Sequence, residues 1–268
     1  MPATVLVRGG GDLASGVAMR MYRCGLNVAI TELEQPLSVR RTVSFSEAVY
    51  DGQIVIEGVT GQRVKDPTDS LRVFNVFSKR SIPVLIDPEC VSVQTLHPIA
   101  IVDARMLKRP PEPLRHTAML YVGLGPGFRA PDNCHAVIET QRGHQLGRVI
   151  WSGESQSDTA RPDGDFRRVL RAPADGVFES KANIGQHFAL GEVIASVDDQ
   201  KIAAPFPGVL RGLLRPGLNA AKGMKVGDID PRDDSRLATL VSDKALAVGG
   251  AVLEALLTRS EVRSKLWA

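Results

Sequence analysis

Along the first ~110 residues, short apolar runs alternate with stretches whose apolar side chains recur every three to four positions. The runs 5–7, 28–31, 53–57, 84–86 and 99–102 have strand length, and 13–24, 67–78 and 91–96 read as helices. Strands separated by helices predict parallel crossovers and a doubly wound sheet. Leu13, Val17, Met21 and Tyr22 fall at helical spacing and are expected to form the buried face of the first helix.

The pattern changes at Arg109-Pro-Pro-Glu-Pro113, where proline can neither continue a helix nor donate to a ladder, so a linker or edge crossing is expected. A strand at 118–122 then runs into Gly123-Leu-Gly-Pro-Gly127. Two further apolar runs, 136–140 and 148–151, flank a glycine-containing loop and predict a β-hairpin. From 172 to 230 the chain repeats itself. Ala172-Pro173 returns as Ala204-Pro205, Gly176-Val177 as Gly208-Val209, Gly185 as Gly217 and Gly191 as Gly223, always 32 residues on. A constant offset implies two copies of one unit packed together, here short strands joined by glycine turns. The tail from Ser242 begins with a capping residue and has helical periodicity. Its Gly249-Gly250 pair suits a helix that packs very closely, expected to return to the N-terminal α/β layer.

The expected organisation is thus a Rossmann-like α/β domain over 1–110, a second glycine-loop and hairpin region over 111–170, a small β module over 171–232 and a C-terminal helix over 233–268. The β module is similar to the barrel-sandwich hybrid of biotinyl and lipoyl carriers. The nearest candidate for their modifiable lysine, Lys201, lacks the Met-Lys-Met setting, so a structural module is the preferred reading.

Composition narrows the partners. The 268 residues are 43% hydrophobic and 24% charged, ordinary for a globular protein. A net charge of +3 with dispersed basic residues, and only 5% aromatics, give neither a nucleic-acid stripe nor a base-stacking platform. Cys24, Cys90 and Cys134 lie far apart, without disulfide or zinc spacing, which fits a cytoplasmic location. No apolar run suggests a signal peptide or a membrane span.

The candidate chemistry begins at the first turn. Gly9, Gly11 and Ala14 match the G-x-G-x-x-G/A dinucleotide fingerprint, and Glu32 follows Gly11 by 21 residues, where an acid binds a ribose hydroxyl. Gly9, Gly10, Gly11, Asp12, Ser15 and Gly16 are therefore candidate phosphate-binding residues, with Glu32 for the ribose. Arg40 and Arg41 form a pair suited to bidentate anion binding, and Gly123, Gly125 and Gly127 a second cradle. The alternatives at these positions are tight turns and solvated charges. Asp87, Cys90 and His135 are candidates for acid, base or nucleophile. A thiolate at Cys90 would need a cation to lower its pKa. His135, Glu139 and His144 could be read as metal ligands, but they lack helical ligand spacing, and no metal is expected.

Several stretches together resemble one family: Gly9-Gly-Gly-Asp-Leu-Ala-Ser-Gly16, Arg40-Arg41, Gly123-Leu-Gly-Pro-Gly-Phe128, His135 through Ile150, and Gly227-Asp-Ile-Asp-Pro-Arg232. They are similar to the YqeB family, proteins of the selenium-dependent molybdenum hydroxylase system. The resemblance covers essentially the whole chain and departs from the family pattern at 152–162. It implies an accessory role in maturing a xanthine dehydrogenase-like client. The implied ligand is a nucleotide or the molybdenum cofactor (molybdopterin or its dinucleotide), bound for modification or delivery. The alternative is an oxidoreductase using NAD(P), or a nucleotide-using transferase. A client hydroxylase and a nucleotide-type small molecule are the expected partners, with a homo-oligomer left open.

Overall fold

The computed structural model describes residues 3–112, 118–158 and 165–267. Pro113 of the proline-rich break, and positions 159–162 of the segment that departs from the family pattern, lie outside them. The chain divides into two compact units. One comprises residues 1–36, 45–159 and 241–268, the other 37–44 and 160–240.

The first unit is built on a nine-stranded sheet. Its strands are β1 (Thr4–Arg8), β2 (Asn27–Glu32), β3 (Gln53–Ile56), β4 (Val59–Val64), β5 (Ile82–Ile86), β6 (Ala100–Asp103), β7 (Leu120–Leu124), β9 (Ala136–Ile138) and β10 (Val149–Ile150), in the order β10-β9-β7-β6-β1-β2-β5-β4-β3. A separate short pair joins β8 (Arg129–Ala130) to β11 (Gly153–Glu154). The helices are α1 (Asp12–Arg23), α2 (Ala48–Asp51), α3 (Ser70–Ser78), α4 (Val93–Leu96), α5 (Asp243–Thr258) and α6 (Ser260–Arg263).

The seven inner strands run parallel, and β3 and β10 close the two edges antiparallel. The apolar run at 53–57 is therefore an edge strand in a hairpin with β4, not a link in the parallel series. Sequence patterning missed β4, because Thr60, Gly61, Gln62 and Arg63 leave its core-facing residues widely separated. The hairpin of β9 and β10 forms where the sequence places it.

Side chains alternate across the sheet. Leu6, Ala29, Leu85, Ile101 and Val137 join Val73 and Val76 of α3 and Val93 of α4 in one buried cluster. α1 and α5 pack against each other and cover the other face, with α1 on β1 and β2 and α5 on β7, β9 and β10. Gly16 and Gly249 make this helix crossing close. A Cβ on Gly16 would lie 2.6 Å from the Ala245 Cβ, and one on Gly249 2.9 Å from the Gly16 carbonyl oxygen.

The second unit holds β12 (Val169–Arg171), β13 (Gly176–Glu179), β14 (His187–Phe188), β15 (Val193–Val197), β16 (Gln200–Ala203), β17 (Gly208–Leu213), β18 (Asn219–Ala220) and β19 (Lys225–Asp230). They form two four-stranded antiparallel sheets, β16-β15-β13-β18 and β12-β19-β17-β14. Adding 32 to the residue numbers converts β12–β15 into β16–β19, and so converts one sheet into the other. Each sheet takes its two central strands from one copy and its two outer strands from the other. The turn bonds repeat on the same rule. Gly185 donates to the Leu210 carbonyl at 2.7 Å and Gly217 to that of Phe178 at 2.8 Å; Gly191 donates to Ala204 at 2.9 Å and Gly223 to Ala172 at 2.8 Å. These four glycines have φ between +79° and +95°, which L side chains rarely adopt.

Candidate functional site

In an open parallel sheet, ligands bind outside the carboxyl ends of the strands, where the strand order reverses. Here that point lies between β1 and β6. The chain leaves β1 for β2 on one side and later crosses to β6 on the other. The last residues of neighbouring strands stand in one row, with Arg8 opposite Asp103 and Asp103 opposite Gly123.

Asp103 is fully buried and organises this edge. Its Oδ2 accepts from Arg8 Nη1 at 3.3 Å, Arg105 Nη2 at 2.7 Å and the Tyr121 hydroxyl at 2.8 Å. Its Oδ1 accepts from Arg105 Nε at 2.9 Å. Burial works against the Arg105 charge, but the bonds to Asp103 hold its pKa above the usual arginine value. Burial, and then the Asp103 charge, push the Tyr121 phenol up, so it stays protonated and donates. Two cations thus flank one carboxylate at the switch point. Backbone strain gathers at the same edge. Cys90, Met106 and Lys108 have φ of +59°, +55° and +59° although none is glycine, and such residues cluster at ligand clamps.

The first glycine turn is filled from within. The Glu32 carboxylate accepts from the Gly10 amide at 2.7 Å and from Leu33 N–H at 2.8 Å. Burial raises its pKa, opposed by those two bonds. The Gly10 carbonyl accepts from Ser46 N–H at 2.9 Å and the Ser15 hydroxyl at 3.2 Å, and Ser15 Oγ in turn accepts from Phe45 N–H at 2.8 Å. A Cβ on Gly10 would lie 2.9 Å from the Ser46 nitrogen. Gly9 runs beside Ala104 and Arg105, Gly11 caps α1, and Asp12 places a carboxylate in its first turn. The fingerprint residues do come together, but Glu32 holds the amide that a phosphate would use.

Other candidates have structural partners. Gly16 faces α5 rather than the turn. Arg40 and Arg41 belong to the second unit, where Arg40 donates to the carbonyls of Leu237 and Leu240 and Arg41 to that of Leu213. Asp87 accepts from the amides of Val91 and Ser92, capping the turn that leads into α4. Burial pushes the Cys90 thiol up to about 11, against the thiolate reading, even with Arg8 nearby. His135 Nδ1 accepts from Tyr121 N–H at 2.8 Å, which leaves the ring's other nitrogen at the exposed surface.

In the second glycine loop, Gly123 makes room for Phe128, Gly127 for the Arg109 backbone and Gly125 for the Thr140 hydroxyl. The loop therefore lies against the strained segment that carries Arg105. Glu139 accepts from Gln141 and Gln156 N–H groups, each at 2.7 Å, and so ties down the hairpin loop. Among the described residues no group of three or more His, Cys, Asp or Glu is placed to hold a metal. Sequence reading missed Arg8, Asp103, Arg105 and Tyr121. For Arg8, Asp103 and Arg105 the one signal was position, at or just past the ends of β1 and β6; Tyr121, second in β7, carried none.

The fold and this edge define an open α/β protein with a buried polar cluster at its switch point, joined to a duplicated all-β unit. No family model matches the chain. It is 45% identical over 257 residues to the uncharacterized protein YqeB of Escherichia coli (strain K12), across 94% of this chain and 47% of that protein. The chain is similar to YqeB along nearly its whole length, and it spans about half the length of that relative. Among solved structures it is similar to an aspartoacylase family protein from Mesorhizobium loti (10% identity, TM-score 0.26, 85% of this chain and 84% of that one). The ectoine utilization protein EutE of Ruegeria pomeroyi is similar at the same level (12%, TM-score 0.25, 85% and 86%). Among the described residues no helix is long and apolar enough to cross a membrane.

Proposed function

We propose that the protein is a cytoplasmic accessory factor for molybdenum hydroxylases. In this reading it binds an anionic, molybdopterin-type ligand at the carboxyl edge of the parallel sheet and passes it to a client enzyme. The observation that carries the ligand class is the Arg8–Asp103–Arg105–Tyr121 cluster at the switch point, with the loop at 123–127 beside it. Arg8 and Arg105 meet one buried carboxylate, and the second acid on Arg105, Glu112 at 3.5 Å, is exposed and displaceable by an anion. The molybdenum context comes from the resemblance to the YqeB family.

The residues fit the two halves of such a ligand unequally. Arg8 and Arg105 suit a phosphate on the β6 side. The Gly9–Gly11 turn does not suit a pyrophosphate, since Glu32 occupies the Gly10 amide and Asp12 adds a second negative charge. This disfavours the NAD(P) oxidoreductase reading, which depends on that turn. A molybdopterin-type ligand, when bound, supplies the metal-holding group used by the client. The residues of this chain bind its phosphate and orient it, and no catalytic step is assigned to them. We read the duplicated unit as a module of the barrel-sandwich hybrid type that offers a docking face to the client.

Native mass spectrometry of the protein with molybdopterin, its cytidine dinucleotide form and NAD(P) in competition tests this reading. A pterin species should be retained, and Arg105→Gln should weaken retention about tenfold through loss of charged hydrogen bonds. Selective retention of NAD(P), or of nothing, would overturn it.

A further inference from the structure

The two copies in the second unit obey their 32-residue symmetry closely, and one place breaks it. In the first copy Phe178 pairs with Val197 and Glu179 with Ser196, in regular register. In the second, Leu210 pairs with Ile229 but Gly212 pairs with Asp228, so Arg211 is an extra residue bulged out of β17. Bulges re-aim side chains and are common beside functional sites.

The bulged Arg211 points at two carboxylates of β19. Its Nε and Nη2 lie 3.1 and 2.8 Å from Asp228 Oδ1, and its Nη1 lies 3.0 Å from Asp230 Oδ2. Asp228, 1% exposed, also accepts from Arg168 Nη1 at 3.0 and 2.9 Å and from Lys225 Nζ at 3.0 Å. Asp230 accepts from Arg232 Nε at 2.9 Å and Nη2 at 2.6 Å. Four cationic side chains therefore surround two carboxylates. At the symmetry-related positions of Arg211, Lys225 and Asp228 the first copy has Glu179, Val193 and Ser196, which line an open depression of about 480 Å³. The second copy has rebuilt the same place with charge.

Neutralising a buried aspartate takes one guanidinium. Here Asp228 gathers three cations and fixes their directions, and Lys225 and Arg232 keep substantial exposure. We propose that this cluster is a phosphate-binding site, taking a free phosphate or a phosphate monoester. Asp228 and Asp230 serve as positioning residues, and Arg168, Arg211, Lys225 and Arg232 supply the positive charge. Arg211 has five N–H donors and gives three bonds to the aspartates, and lysine adds a point charge. The site lies wholly within the second unit and is independent of the ligand proposed for the sheet edge.

Isothermal titration of the full chain with inorganic phosphate, and separately with glycerol 3-phosphate, tests this at low ionic strength. Saturable binding of either is expected, and the tighter of the two identifies the source. Lys225→Gln and Arg232→Gln should each weaken binding about tenfold, the loss of one charge-assisted bond. Melting in phosphate-free buffer should fall only modestly, since Asp228 keeps Arg168 and Arg211 and Asp230 keeps Arg211 in these variants, so both stay folded for the titration. No saturable heat from wild type with either compound would overturn the proposal. So would phosphate raising the melting temperature of wild type and of the double variant equally.

Discussion

A carboxylate with no exposed surface that accepts from two guanidinium groups and a phenol leaves uncompensated buried charge when it is neutralised. Breaking one side of such a buried network typically costs 3–5 kcal/mol, on the order of a large share of a domain's stability. Asp103→Asn should therefore lower unfolding free energy in urea by about 3 kcal/mol or more. The thiols make a second residue-scale prediction. Cys24 is exposed, whereas burial holds Cys90 and Cys134 each at about 11. At pH 8 a thiol-specific reagent should modify one cysteine quickly and two slowly, and Cys24→Ser should remove the fast phase. A fast phase surviving that change would mean Cys90 is more open than its packing indicates.

Among elements, the α1–α5 crossing separates two adjacent glycines by role. Gly249 touches Gly16 and Arg20, while Gly250 has open space where a Cβ would stand. Alanine is a better helix former than glycine by roughly 1 kcal/mol. Gly250→Ala should stabilise the protein by about 0.5–1 kcal/mol in thermal or urea unfolding, whereas Gly249→Ala should destabilise it. The sequence shows the pair but not which member is at the contact, because helical spacing alone does not fix where a partner helix crosses. The same limit governed the rest of the reading. The parallel strands, the β9–β10 hairpin and the 32-residue repeat were legible, because apolar runs and glycine turns are local signals. The β4 strand, with polar residues and a glycine at its centre, was not. Nor was the Asp103 cluster, whose members at 8, 103, 105 and 121 meet only once β1, β6 and β7 are neighbours. Arg40 and Arg41 illustrate the converse. Lying near a glycine motif in sequence, they belong to a different unit.

For the whole molecule, the titrations of Glu32 in the first unit and of Asp228 and Asp230 in the second act with opposite sign. In the second unit, burial works against ionised Asp228 but Lys225, Arg211 and Arg168 outweigh it and hold its pKa down; the bond to Arg232 takes Asp230 to about 2. Carboxylates depressed in the folded state add stability above the ordinary aspartate range, and that stability is lost as pH falls from about 4 toward the folded values. Glu32 is shifted the other way. Its contribution is fully present below the ordinary glutamate value of about 4.3 and is lost as pH rises through its raised one. Calorimetry between pH 7 and 2 should show acid destabilisation that Asp230→Asn reduces, and Glu32→Gln should flatten the opposite slope that sets in above about pH 4.3.

The exchange of outer strands between the two sheets has a historical meaning. A single 32-residue copy holds only the central strand pair of one sheet, because its first and third strands find their partners in the other copy. A peptide of one copy would complete both sheets only by exchanging strands with a second, as a homodimer. Fusion turned a two-chain symmetry into a one-chain symmetry, and from then on each half was free to change alone. Arg211 is where that freedom was used: a bulge there would be imposed twice on a symmetric dimer, and in the fused chain it falls once.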